Sequence, residues 1–167
     1  MIRTAECITP KHPDKICDRI SDAILDACLK QDPNTRAAIE TMGGHGIITV
    51  TGELTTSAFV DIPEIVKSVY GKDIGVQTNI VMQSPEISQG VDTGGAGDQG
   101  IMIGYACTEN DQMVPQEYYL ARKLCESIYI NHPYDGKTQV TILEDNSLNV
   151  VASFQNTSTE DLIHHIK

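Results

Sequence analysis

Apolar residues recur at every fourth position at Ile16, Ile20, Ile24 and Cys28, while Asp18, Asp22 and Asp26 turn away from that stripe. This spacing predicts an amphipathic helix from Pro13 to Gln31, with proline suited to its first turn and Asp32-Pro33-Asn34 as its stop. The period then changes to two. Arg36 to Thr41 and Gly46 to Leu54 read as strands, and His45 between glycines makes the hairpin turn. A second helix is predicted from Ile62 to Tyr70, capped by Asp61, and a strand from Val76 to Met82. Gln83 to Gly97 is polar, glycine-rich and aperiodic, and is expected to be a long loop of the kind usually kept for function. Gln99 to Cys107 reads as a strand and Pro115 to Ile130 as an amphipathic helix. Lys137 to Leu143 and Leu148 to Phe154 read as a hairpin turned at Glu144-Asp145-Asn146, and Thr159 to Lys167 as a capped helix.

Helices alternating with strand pairs in this order predict an α+β fold, with helices packed on one face of mostly antiparallel sheets. A last helix of fewer than ~10 residues is marginal by itself in water, so further polypeptide is expected to pack against it.

Composition narrows the classes. No apolar run approaches the ~20 residues that span a bilayer, and Met1-Ile2-Arg3-Thr4-Ala5-Glu6 has no signal-peptide core. Five cysteines, an odd number without a CxxC pair, fit neither a disulfide framework nor a zinc site and read as reduced residues of a cytoplasmic protein. A net charge of −11 argues against nucleic acid as a partner. The distribution of cations says more. No Lys or Arg occurs from Asp73 to Ala121, and only Lys137 and Lys167 follow Lys123.

Four segments carry candidate chemistry. Lys11-His12-Pro13-Asp14-Lys15 clusters a histidine, a carboxylate and lysines at a helix start, where free N–H groups favour anions. Asp14 suits a hard cation such as Mg²⁺, and a merely solvated helix start is the competing reading. Gly94-Gly95-Ala96-Gly97-Asp98-Gln99-Gly100 is either a close backbone approach to a ligand or a turn. Glu40 and Glu53, on paired strands, either point to solvent or face a cation. Asp135-Gly136-Lys137 places an acid and a base together at a turn.

In their order these segments resemble a known family. His12-Pro13-Asp14-Lys15 with the helix after it, Thr51 to Ala58 (TGELTTSA), Gln83 to Asp92 (QSPEISQGVD), Gly95 to Gly100 (GAGDQG) and Asp135 to Val140 (DGKTQV) look like the ordered signatures of S-adenosylmethionine synthetase, also called methionine adenosyltransferase. The resemblance implies the first domain (1–108) and an incomplete central domain (109–167) of a three-domain fold. It implies ATP and L-methionine as substrates, Mg²⁺ and K⁺ as cofactors and an oligomer. It also implies roles by residue. His12 and Lys137 would be catalytic, and His12, Lys15, Asp135, Gly136 and Lys137 would contact ATP. Glu53, Gln83 and Asp98 would hold methionine, Asp14 would ligate Mg²⁺, and Glu40 would sit at K⁺. Gln83, Ser84, Pro85, Gln89, Gly90 and Asp92 would belong to a gating loop.

Two departures are visible. Only Thr93 and Gly94 separate QGVD from GAGDQG, which shortens the gating loop. Most of the family's cationic grip on tripolyphosphate is also missing. The expectation is therefore an enzyme that needs a complementary chain, or alternatively a non-catalytic ligand-binding or regulatory subunit of a full-length synthetase.

Overall fold

The computed structural model describes residues 1–71 and 73–166. They form two compact units, one made of residues 16–102 and the other of residues 1–15 with 103–167. The elements are β1 (Arg3–Ile8), α1 (Pro13–Leu29), β2 (Arg36–Gly44), β3 (Ile47–Thr55), α2 (Ile62–Tyr70), β4 (Gly75–Val81), α3 (Pro85–Asp92), α4 (Gln116–Asn131), β5 (Gly136–Ile142), β6 (Leu148–Phe154) and α5 (Thr159–Ile166). Each unit is a three-stranded sheet with helices on it, an α+β arrangement as the residue pattern predicts.

In the unit of residues 16–102 the strand order is β2-β3-β4, antiparallel across the first pair and parallel across the second. Alternation sorts the side chains between two faces. Ile39, Ile48, Val50, Val76 and Ile80 share the face that packs on Ile20 and Ile24 of α1 and Val66 of α2. The same parity sends Arg36, Ala38, Glu40, Thr51 and Glu53 to the opposite face. The stripe read from the sequence is thus the buried one: Ile20, Ile24 and Cys28 are inaccessible, and Asp18, Asp22 and Asp26 are exposed.

The other unit is wholly antiparallel, in the order β1-β5-β6. Cys125 and Ile128 of α4 and Phe154 of β6 form its core, with Cys7, Leu124, Ala152 and Leu162 packed around them. Buried Thr138 of β5 donates its hydroxyl hydrogen to the Ala121 carbonyl at 2.7 Å, which pins α4 to the sheet. Of the five cysteines only Cys28 and Cys125 are buried. Cys7 accepts a hydrogen bond from Cys125, which lowers the Cys7 thiol to about 7 and pushes Cys125 up.

Two expectations are corrected and one element is new. Strand β1 has no counterpart among the predicted elements, because its register against β5 gives Arg3 to Ile8 a partner the local pattern does not announce. Gln99 to Cys107 is not a strand: Ile101, Met102 and Ile103 are 94%, 98% and 91% exposed and belong to neither sheet. Strand-like composition needs a neighbouring strand to become one. Finally, Gln83 to Gly97 is not one aperiodic loop but contains α3. Ser84 caps that helix by accepting from the Ile87 N–H at 3.4 Å, Pro85 opens it, and Gly94 ends it at a φ of 88°. The predicted last helix is present from Thr159, its Ser158 cap accepting from the Asp161 N–H, and Lys167 lies outside the described residues.

Asp32 shows how a turn can carry a pH response. One carboxylate oxygen accepts from the Ser57 N–H at 2.7 Å and from the Ser57 and Thr56 hydroxyls, and the other accepts from the Asn34 N–H. These bonds favour the charged form and hold the Asp32 carboxyl below its ordinary range. A depressed folded value stabilises above the unfolded carboxyl value and is lost as pH falls through the folded one. Urea midpoints should therefore be higher for the wild type than for Asp32→Asn at pH 7, and the two should converge below about pH 4. A gap that stays constant down to pH 2 would disprove that assignment.

Candidate functional site

The predicted site residues fall into two groups, one in each unit. In the sheet unit of residues 16–102, Glu53, Gln83 and Asp98 line a single cleft of about 610 Å³, together with Arg36, Ala37, Ala38, Ile87, Val91 and Gly97. Three different elements bring them there. Glu53 stands on β3 opposite Ala38, on the face that the helices leave open. Gln83 follows β4 and is fixed by its own N–H, which donates to the Thr55 hydroxyl at 3.2 Å. Asp98 sits in the glycine-rich turn after α3, where one carboxylate oxygen accepts from the Gln99 N–H at 2.7 Å. Ile87 and Val91, one helical turn apart on α3, supply an apolar wall.

The charge balance of this cleft decides what it can hold. Glu53 and Asp98 are negative, and Arg36 is the positive side chain among its lining residues. The Gln83 Oε1 and the Arg36 Nε are both buried without a hydrogen-bond partner. A buried polar atom left unpaired is costly, so the residues lining the cleft include one unsatisfied acceptor and one unsatisfied donor. Arg36 was not among the residues singled out in the sequence. The only available signal was its isolation, since it is the last Arg before a long cation-poor stretch.

Glu40 lies on the same open face as Glu53, paired with Thr51, and is exposed. It does not line the cleft. Ser84, Pro85, Gln89, Gly90 and Asp92, which the resemblance assigns to a gating loop, are the cap and body of α3. The Gly90 carbonyl accepts from the Gly95 N–H at 2.9 Å, and Asp92 forms an ion pair with Arg36.

In the other unit the His12 and Asp135 segments are tied together by a residue that the sequence did not flag. Thr9 is fully buried just after β1. Its N–H donates to the Gly136 carbonyl at 2.9 Å, its hydroxyl donates to the Tyr134 carbonyl at 3.0 Å, and the Gly136 N–H donates to that hydroxyl at 3.2 Å. The His12 N–H in turn donates to the Thr9 carbonyl at 3.1 Å. Gly136 is required here, because a Cβ would strike the Phe154 ring.

His12 Nδ1 accepts from the Asp14 N–H at 3.2 Å. A neutral ring held this way carries its proton on Nε2, which makes that nitrogen a donor. Asp14 is 82% exposed, 3.8 Å from the imidazole. Lys137 is not a free cation: its Nζ lies 2.7 Å from the Glu6 carboxylate. Asp135 accepts from the Gln155 side chain at 3.2 Å. Among the described residues no three His, Cys, Asp or Glu side chains are arranged to hold a metal ion. A magnesium ion held by one carboxylate, with water and substrate phosphates completing its shell, still fits Asp14.

The comparisons with known proteins divide the chain in two. The family model for the S-adenosylmethionine synthetase N-terminal domain matches residues 1–93, and that for the central domain of the same synthetase matches residues 93–166. Similar curated proteins include the S-adenosylmethionine synthases of Nocardia farcinica, Clostridium tetani and Prochlorococcus marinus, at 43%, 44% and 40% identity. The matches cover 85%, 86% and 95% of this chain and 44%, 46% and 48% of those proteins. The chain spans about half the length of the curated relatives it matches.

Proposed function

Because the chain belongs to the S-adenosylmethionine synthetase family, we propose that it supplies the methionine pocket and part of the nucleotide pocket for making S-adenosylmethionine from ATP and L-methionine, with release of pyrophosphate and phosphate. The observation that carries this reading is the cleft that gathers Glu53, Gln83 and Asp98. Its carboxylates suit an α-ammonium group, and its Ile87 and Val91 wall suits a thioether chain.

The methionine sulfur is neutral and needs no general base. Its lone pair forms the bond to the ribose C5′ as the C5′–O bond breaks, and the electron pair leaves on tripolyphosphate. Hydrolysis then cleaves that product to pyrophosphate and phosphate. The protein's part is to orient the two reactants and to stabilise the departing charge. The Nε2–H of His12 donates to the leaving oxygen, and Asp135, Gly136 and Lys15 hold the nucleotide. Lys137 gives its charge to the phosphates, exchanging Glu6 for them. Asp14 would hold Mg²⁺, which supplies neutralising charge to the phosphates when bound, and Glu40 would hold K⁺. The reaction runs in the cytoplasm, in an oligomer. With so few Lys and Arg beyond Lys67, the remaining cations come from a complementary synthetase chain.

The test is an S-adenosylmethionine assay with ATP, methionine, Mg²⁺ and K⁺, using this chain with and without that complementary chain. Product is expected from the mixture and from neither alone, and Glu53→Gln should raise the methionine KM at least tenfold. Product at an undiminished rate from a mixture containing Glu53→Gln would overturn the assigned pocket. A mixture no more active than the partner by itself would instead identify this chain as a non-catalytic subunit.

A further inference from the structure

The cleft beside α3 contains a cation to which the proposed reaction gives no task. Arg36 opens β2 and lies, by strand alternation, on the same face as Ala38 and Glu40. Its guanidinium serves two environments. Nη1 is committed to Asp92, the last residue of α3. Nε is buried in the cleft lining without a partner, and the Gln83 Oε1 of the same cleft is also buried without one. The missing partners have opposite polarity: Nε calls for an acceptor and Oε1 for a donor. Two carboxylates, Glu53 and Asp98, accompany the orphaned acceptor, while Arg36 is the cation among the residues that line the cleft. With Ala37, Ala38, Ile87 and Val91 as apolar lining, this is the charge map of a zwitterionic α-amino acid.

Resting on the amino-acid assignment made above, we infer that Arg36 receives the α-carboxylate of the amino acid on Nε while Nη1 keeps Asp92. One guanidinium then reads the ligand and holds α3 at the same time. Arginine is suited to this because its donors are fixed in one plane and can serve two acceptors at set angles. Lysine has three donors but no fixed plane, so it cannot hold both acceptors at the same set angles. The bound carboxylate and the Asp92 carboxylate lie on different edges of the same cation, so a ligand on Nε leaves the Asp92 contact of α3 in place.

The experiment measures binding of L-methionine and of L-methioninol, its analogue without a carboxylate, to the 167-residue chain by calorimetry and by amide chemical shifts. Wild type should bind L-methioninol at least tenfold more weakly than L-methionine. Arg36→Gln and Arg36→Lys should each lose at least tenfold for L-methionine and prefer neither ligand. Asp92→Asn should keep the preference, because Nε is untouched, but its α3 amides should exchange hydrogen faster than those of wild type. Should a folded Arg36 variant fail to accumulate, the wild-type comparison of the two ligands decides the question alone. Equal wild-type affinities, with shifts confined to the cleft residues, would overturn the role of Arg36 and leave the amino-acid pocket standing. If L-methionine shifts no resonance of Glu53, Gln83 or Asp98 in wild type, the pocket assignment fails, and this inference fails with it.

Discussion

Gly52→Ala is expected to lower the stability of the sheet formed by residues 16–102 by about 3–5 kcal/mol, as large a loss as single substitutions usually give. Gly52 lies within β3 at a φ of 133°, a backbone setting that side chains rarely adopt. A Cβ there would collide with the Ala38 carbonyl oxygen and come within 3.2 Å of the Ile39 Cα. Both obstacles are backbone, so no rotamer change relieves them, and β2 must move away from β3. Strain at such a position alone costs on the order of 1–3 kcal/mol. Hydrogen exchange of the β2 and β3 amides and a urea titration would measure the effect. Gly46→Ala is the control: its φ is also positive, at 86°, but a Cβ meets nothing within 4 Å, so only about 1–2 kcal/mol of local strain should appear. Equal midpoints for Gly52→Ala and wild type would show that β2 and β3 are less tightly joined than their register indicates. The site would suffer as well, because Ala38 and Glu53 are opposite partners one position from the collision.

The second large effect concerns turnover. If the reaction is as proposed, His12→Ala should reduce S-adenosylmethionine formation in the complemented mixture by about 10²–10³-fold, as the loss of one donor to a departing oxyanion does elsewhere. The loss should fall on kcat with the methionine KM little changed, since His12 stands in the unit that does not contain the methionine cleft. His12→Asn tests the donor role more narrowly. An amide N–H that reaches the same oxygen would recover part of the rate, whereas a loss seen only in KM would reassign His12 to ground-state binding. His12→Ala should fold, because the segment is held through the His12 N–H and Thr9, and neither bond needs the imidazole.

Local periodicity carried most of the fold into view. The helix of Ile16, Ile20 and Ile24, the hairpin at His45 and the Asp61 cap were all readable because each rests on neighbours within a few residues. Strand β1 was not, since its partner lies more than a hundred residues away in β5. The stretch from Ile101 to Tyr105 misled for the converse reason: its composition suits a strand, but neither sheet has a place for it. Helix α3 was legible in principle, because Ser84, Pro85 and Glu86 form a standard helix start. The glycines on either side of Val91 masked it. For the cleft, the ordered motifs pointed to Glu53, Gln83 and Asp98, which the fold places together. Arg36 stayed hidden because its contribution is relational: an unpaired nitrogen and an ion pair with Asp92 of α3 are properties of the folded chain. Lys137 was readable as a charge, but not as one already held by Glu6.

The two-part make-up of the unit containing residues 1–15 and 103–167 has a consequence for the order in which the protein acquires structure. Thr9 and Gly136 bond across a sequence separation of 127, so β1 emerges from the ribosome long before its partner exists. At 5–20 residues per second, synthesis of the intervening stretch takes on the order of ten seconds. Residues 16–102 have their whole core within that interval and can fold while β1 waits as an unpaired, half-apolar edge. Such distant pairings close slowly. The nascent chain is therefore most exposed to mispairing and to chaperone capture at its first strand, and a silent change that slows translation before β5 would lengthen that exposure without altering any residue of the mature protein.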